Sequence, residues 1–135
     1  MTITSIRSRS ADDRRFSIAS TSLIFGCRAE GAGSGRQVTV SVSGEVDAGN
    51  AKLFAHTVRE AATDSAVLVL DLSEVHFMAF DGASALYAIS AHLAREEVTW
   101  CVVPSPPVSR VLQLCDPEGL IPVSDVALLR DAKPA

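Results

Sequence analysis

Residues 66–72, Ala-Val-Leu-Val-Leu-Asp-Leu, are apolar at every position but one. A half-buried strand alternates apolar with polar side chains. A short run without alternation belongs to a strand covered on both faces, inside a sheet flanked by helices. That places residues 66–72 at the centre of an α/β layer, and the flanking segments fit the frame. Residues 36–46 (RQVTVSVSGEV) do alternate, with Val38, Val40 and Val42 on one side and Thr39, Ser41 and Ser43 on the other. Together with STSLIFGCRAE (20–30) and the flexible GAGSG (31–35) they predict a hairpin.

Between the hairpin and the central strand, Leu53, Phe54, Thr57, Val58, Ala61 and Ala62 recur at helical spacing, behind capping residues Asp47 and Asn50. A second helix follows MAFDGAS (78–84) and carries Ala83, Leu86, Tyr87, Leu93 and Ala94 inward until Arg-Glu-Glu (95–97). VTWCVV (98–103) is the next strand, ended by Pro104. Pro106 and Pro107 suit the first turn of a third helix, where the missing amide has no helical partner. That helix turns Val108, Val111, Leu112 and Cys115 to one side, and DPEG (116–119) closes it. A short strand and a last helical turn complete the chain. Strands alternating with helices predict right-handed crossovers. The expected fold is a mixed, mostly parallel sheet of four to five strands, with an N-terminal antiparallel hairpin and three to four packed helices. Residues 1–19 lack sustained periodicity and are expected to form a mobile basic arm, with the folded domain over residues 20–135.

Composition narrows the function classes. The net charge is −4, but the first twenty residues carry four Arg against Asp12 and Asp13, so the remainder holds −6. An acidic body lacks the clustered cations that nucleic acid requires. No 7–15-residue apolar run marks a secretory signal in the first thirty residues, and no stretch of about 18 apolar residues would span a bilayer. The expectation is a cytoplasmic protein with no direct nucleic-acid or membrane partner. His56, His76 and His92 stand in no HExxH pattern, and GAGSG lacks the lysine and helix of a phosphate cradle. No metal or cofactor is expected. Asp71 and Glu74, beside the loop leaving the central strand, read either as catalytic carboxylates of a small α/β enzyme or as acceptors for loop amides. Cys101 and Cys115 read as small core residues, or as a redox pair if their Cα atoms come within about 7 Å.

The stretches SGEVDAGNAKLF (43–54), VLVLDLSEVHFMAFDGASAL (67–86) and VVPSPPVSRVLQLCDPEGLIPV (102–123) together resemble the STAS domain of bacterial anti-sigma factor antagonists. The resemblance implies a non-enzymatic protein that binds an anti-sigma factor of the serine-kinase fold and frees a sigma factor. It also implies a contact centred on the start of the second helix, where the family pattern F-I/M-D-S-S/T-G-L carries a phosphorylated hydroxyl. Here Phe77 and Met78 match the hydrophobic pair and Gly82 the glycine. Ala79, Phe80, Asp81 and Ala83 replace the aspartate, the first serine, the phospho-acceptor and the leucine. Asp81 carries a fixed −1 where phosphoserine would carry about −1.5 to −2. It reads as a helix N-cap, as a built-in imitation of the phosphorylated state, or as a surface retuned for another partner. Ser84, one turn on, is the reserve acceptor. The partner face implied by the resemblance comprises Glu45, Asp47 and Asn50 of one turn with Ala79, Phe80, Asp81, Gly82, Ala83 and Ser84 of the helix start. Phe80 is its anchor, rimmed by Asp47 and Asp81. Two other readings stand beside the antagonist: a STAS signalling or ligand-sensing module in a larger assembly, and a small enzyme using Asp71, Glu74 or Asp81.

Overall fold

A computed structural model describes residues 23–124 in full, together with the backbone of two strands nearer the N-terminus. Those strands are β1 (Ile3–Arg7) and β2 (Asp13–Ile18). They are followed by β3 (Ile24–Glu30), β4 (Gln37–Val46), α1 (Ala51–Ala61), β5 (Val67–Met78), α2 (Phe80–Arg95), β6 (Thr99–Pro104) and α3 (Pro106–Cys115). The strands lie in one sheet in sequence order. Over β3–β6 it is the expected mixed sheet: β3 and β4 pair antiparallel, and β4–β5 and β5–β6 pair parallel across the helical crossovers. Beyond β3, β2 and then β1 add antiparallel pairs and bring the strand number to six. No apolar alternation announces β1 and β2 in the sequence. Pairing at a sheet edge engages backbone N–H and C=O groups whatever the side chains.

The period-two alternation of β4 becomes a division of faces. Val38, Val40 and Val42 enter the core with Phe25 of β3, with Leu68, Leu70 and Leu72 of β5, and with Val102 of β6. The helices close over them with Phe54 and Val58 of α1, Leu86, Ile89 and Leu93 of α2, and Val108, Val111 and Leu112 of α3. The opposite face carries Thr39, Ser41 and Asp71, half-buried or exposed. The apolar run 66–72 is therefore buried on both sides only in part. Val69 is buried away from the main cluster, while Val67 is half-buried.

Local chemistry sets the helix ends. Ser105 caps α3, its hydroxyl accepting the Val108 N–H at 3.3 Å, with Pro106 and Pro107 in the first turn. After α3 the chain turns back, and residues 122–124 lie along β6. There Val102 N–H donates to the Pro122 carbonyl and Ser124 N–H to the Val102 carbonyl, both at 2.7 Å. The expected final helical turn lies outside the described residues.

One buried carboxylate fixes that return. Asp116, 7% exposed, accepts the Ile121 N–H at 2.8 Å, the Leu120 N–H at 2.9 Å and the Tyr87 hydroxyl of α2 at 2.7 Å. The Ile121 amide, then the Tyr87 hydroxyl and the Leu120 amide, hold its carboxyl below the ordinary 3.8, while burial pulls the other way. The same hydrogen bond, reinforced by burial, pushes the Tyr87 hydroxyl up to about 12 from its ordinary 10.0. A lowered carboxyl contributes stability that is present above the unfolded value and lost as pH falls through the folded one. A raised phenol contributes stability that is present below pH 10 and lost as pH rises towards about 12. Urea unfolding across pH should therefore show wild type losing stability below about pH 4 more steeply than Asp116→Asn. Tyr87→Phe should flatten the loss at the alkaline end.

Candidate functional site

The parallel pairing of β4 with β5 brings two distant stretches to one corner of the molecule. Two irregularities, between Ser41 and Ser43 and between Gly44 and Glu45, let the strands stay paired to Glu45↔Phe77 and Val46↔Met78. Gly44, at φ 114°, occupies backbone space that glycine tolerates and other residues avoid. Val46 and Met78 turn into the core, and Glu45 and Phe77 turn out of it side by side. One bond further, the Ala79 N–H donates to the Val46 carbonyl at 2.8 Å.

That bond corrects two expectations. β5 does not end after Leu72 but runs to Met78, so Asp71 and Glu74 lie within the strand rather than beside a loop leaving it. The Asp71 carboxylate accepts the Ser73 N–H at 3.0 Å, the local amide role that its sequence position offers. Asp81 is also not the N-cap of α2. Extended backbone continues through Ala79, which takes the cap position with no side-chain bond, and the helix starts at Phe80. Asp81 is the second helical residue and exposed, where the free amides of the first turn favour an anion without a direct cap.

The turn from β4 to α1 is internally cross-linked. Asp47 Oδ1 accepts the N–H groups of Gly49 at 2.9 Å and Asn50 at 3.1 Å. Asn50 Oδ1 accepts the Asp47 N–H at 2.9 Å, and Asn50 Nδ2 donates to the Glu45 carbonyl at 2.9 Å. Asn50 is 4% exposed. Asp47 and Asn50 therefore hold the loop's shape, which leaves Glu45 as the turn's outward carboxylate.

On the helix side, Ala83 and Gly82 are buried, while Phe80, Asp81 and Ser84 face outward. Gly82 has a packing reason. A Cβ there would stand 2.5 Å from Met78 Cγ, so any side chain at this position would push the Met78 side chain out of its place beneath the helix start. Of the nine residues expected on the partner face, the structure turns out Glu45, Phe80, Asp81 and Ser84 most openly. It adds Phe77, 48% exposed, to Phe80, 62% exposed. Sequence reasoning matched Phe77 to a hydrophobic pair but did not single it out as surface. Its register partner Glu45, on the outward side of Val46, is the signal that would have done so.

Other expected site residues stay apart. Cys101 lies between Trp100 and Val102, both turned to the helical core, so its side chain is on the opposite face. Cys115 packs against that core, and both are free thiols. The sheet parts them. His56 and His76 are exposed and His92 half-buried. Among the described residues no group of three His, Cys, Asp or Glu is placed to hold a metal ion, and no helix is long and apolar enough to cross a membrane. A cavity of about 150 Å³ opens at the other ends of α1 and α2, lined by residues 62–65 with His92, Leu93, Glu96 and Val98. It contains none of Asp71, Glu74 and Asp81.

Residues 29–126 match the family model of the STAS domain. No curated protein sequence matches the chain. Among solved structures, the chain is similar to an anti-sigma factor antagonist from Mycobacterium paratuberculosis, at 27% identity and a TM-score of 0.62, over 80% of this chain and 92% of that one. The unphosphorylated form of the anti-sigma factor antagonist SpoIIAA shares the fold at 16% identity and a TM-score of 0.58, over 78% and 93% of the two chains. The phosphorylated form of SpoIIAA, a Bacillus cell fate determinant, does so at 15% identity and 0.53, over 78% and 96%.

Proposed function

The chain belongs to the STAS domain family, and from that premise we propose that it is an anti-sigma factor antagonist. On this reading it is a non-enzymatic cytoplasmic module that binds an anti-sigma factor of the serine-kinase fold and frees a sigma factor. The observation that carries this is the corner where β4 and β5 end. There Phe77 and Phe80 stand exposed on either side of Ala79, at the helix start that the family resemblance assigns to partner contact. Exposed aromatics on rigid elements serve as interface anchors. The resemblance to an antagonist from Mycobacterium paratuberculosis over most of both chains supports the same reading. An enzymatic reading finds no comparable support, because Asp71 is engaged by a local amide and the cavity of about 150 Å³ lies at the other ends of α1 and α2, away from Asp71, Glu74 and Asp81.

The position that the family pattern gives to the phospho-acceptor is Asp81, which has no hydroxyl. A kinase acting on serine or threonine therefore has no substrate there, and the charge at the helix start is permanent. Affinity capture from the native cell, comparing wild type with Asp81→Ser, tests both statements. Wild type should retain a kinase-fold protein. After incubation with that protein and ATP, residue 81 should be unmodified in mass spectra, whereas Asp81→Ser should gain phosphate at residue 81. Phosphate on Ser84 of the wild type would mean that the switch has moved one turn along α2. A wild-type chain that retains no such protein would overturn the antagonist reading.

A further inference from the structure

We propose that the partner docks an arginine between two apolar pockets that receive Phe77 and Phe80, and that Asp81 and Glu45 select it. This rests on the antagonist reading and adds the chemistry of the opposing surface. Four of the chain's phenylalanines lie in residues 23–124. Phe25 and Phe54 are fully buried, and Phe77 and Phe80 are the two left in water. Each exposed ring has an exposed carboxylate beside it, Glu45 by strand register and Asp81 by direct succession on α2. Among the described residues neither carboxylate has a hydrogen-bonding or ionic partner. Asp47, the third acid of this corner, is already engaged with two loop amides. Lys52, in the first turn of α1, is the exposed cation that follows the loop, and α2 brings no cation before His92 and Arg95 in its last turn.

A partner that covers both rings must also draw water away from the two carboxylates beside them. A carboxylate desolvated without a counter-charge is strongly unfavourable, so a neutral apolar partner would lose at the rim what it gained on the rings. A guanidinium answers both demands. Its planar fork pairs with carboxylate oxygens, and its face stacks on a phenyl ring, which the compact and strongly hydrated ammonium of lysine does less well. Asp81 is fixed on a helix rather than a loop, and the cross-linked turn holds the Glu45 backbone through Asn50. Two aromatic anchors and two fixed charges at one corner define an orientation as well as a contact.

The test is titration calorimetry of the full chain against the purified anti-sigma factor recovered by the capture above, from about 50 to about 500 mM salt, a range that takes the screening length from longer to shorter than the site. The expected result is that wild-type affinity falls with salt. Asp81→Asn and Glu45→Gln should each weaken binding about tenfold and flatten that dependence, and Asp81→Lys should abolish binding. One arginine-to-glutamate change in the partner should restore affinity to Asp81→Lys. Thermal melts of each variant confirm that the fold is intact. If Phe77→Ala and Phe80→Ala weaken binding while the charge variants leave affinity and salt dependence unchanged, the arginine inference is overturned and the antagonist reading stands. If the aromatic variants also bind as wild type does, the interface lies elsewhere and the arginine inference is overturned, while the antagonist reading, which the capture tests separately, stands.

Discussion

Phe80→Ala is expected to weaken partner binding by about 1–3 kcal/mol, the range of an interface anchor, while leaving the melting temperature nearly unchanged. The asymmetry follows from where the side chain sits. Phe80 is 62% exposed in the free chain, so its removal takes little from the core and opens no cavity. In a complex the same ring would lose its water, and an aromatic side chain offers about 150–250 Å² for burial. Phe77→Ala should behave alike, with a smaller loss because more of the ring is already covered by the sheet. The double variant should lose less or more than the sum if one partner pocket serves both rings, since neighbouring sites do not add. Titration calorimetry on the two single variants and the double, beside thermal melts, checks each statement. A fall in melting temperature as large as the loss of affinity would show that these rings serve the fold rather than an interface.

Asn50→Ala should have the opposite signature, a large loss of stability from a residue that no partner can reach. Its side chain is one acceptor and one donor in the same cross-link, taking the Asp47 N–H and giving to the Glu45 carbonyl, each at 2.9 Å. Alanine leaves both backbone groups without those partners, at about 1–3 kcal/mol for each that water cannot reach. Because both bonds are part-buried, the loss should settle at about 2 kcal/mol or somewhat more. In a domain of this size that lowers the melting temperature by about 10 °C. Asn50→Asp should not rescue it. The carboxylate keeps an acceptor for Asp47 but replaces the donor with an anion facing the Glu45 carbonyl. Affinity should fall as well, since the turn that holds Glu45 loosens. Equal melting temperatures for wild type and both variants would show that the turn holds without the Asn50 side chain, on its backbone bonds and the Asp47 carboxylate.

The Asp81 comparison and the pH dependence of Asp116 rest on different parts of the sequence, and they differ in how legible those parts were. That DPEG forms a turn could be read from its residue types. That Asp116 would reach Tyr87, 29 residues earlier, could not. The residues 77–84 stood out by resemblance, yet their geometry came from elsewhere in the chain.

What the sequence by itself determined is whatever depends on neighbours along the chain. The alternation of Val38, Val40 and Val42 sets which face of β4 is buried. The spacing of Val108, Val111 and Leu112 sets the inner side of α3, and Ser105 with two prolines sets where that helix begins. What only the tertiary structure decided depends on pairing across distance. Ser73–Met78 has neither regular alternation nor a uniform apolar character, and it is a strand because β4, with its two irregularities, stays hydrogen-bonded beside it. That pairing extends the backbone through Ala79 and moves the start of α2 ahead of Asp81. It also turns Phe77 outward next to Glu45, while the alternation of β6 puts the sheet between Cys101 and Cys115. A side chain's local preference selects its face, but register is a relation between two strands, and neither strand carries it alone.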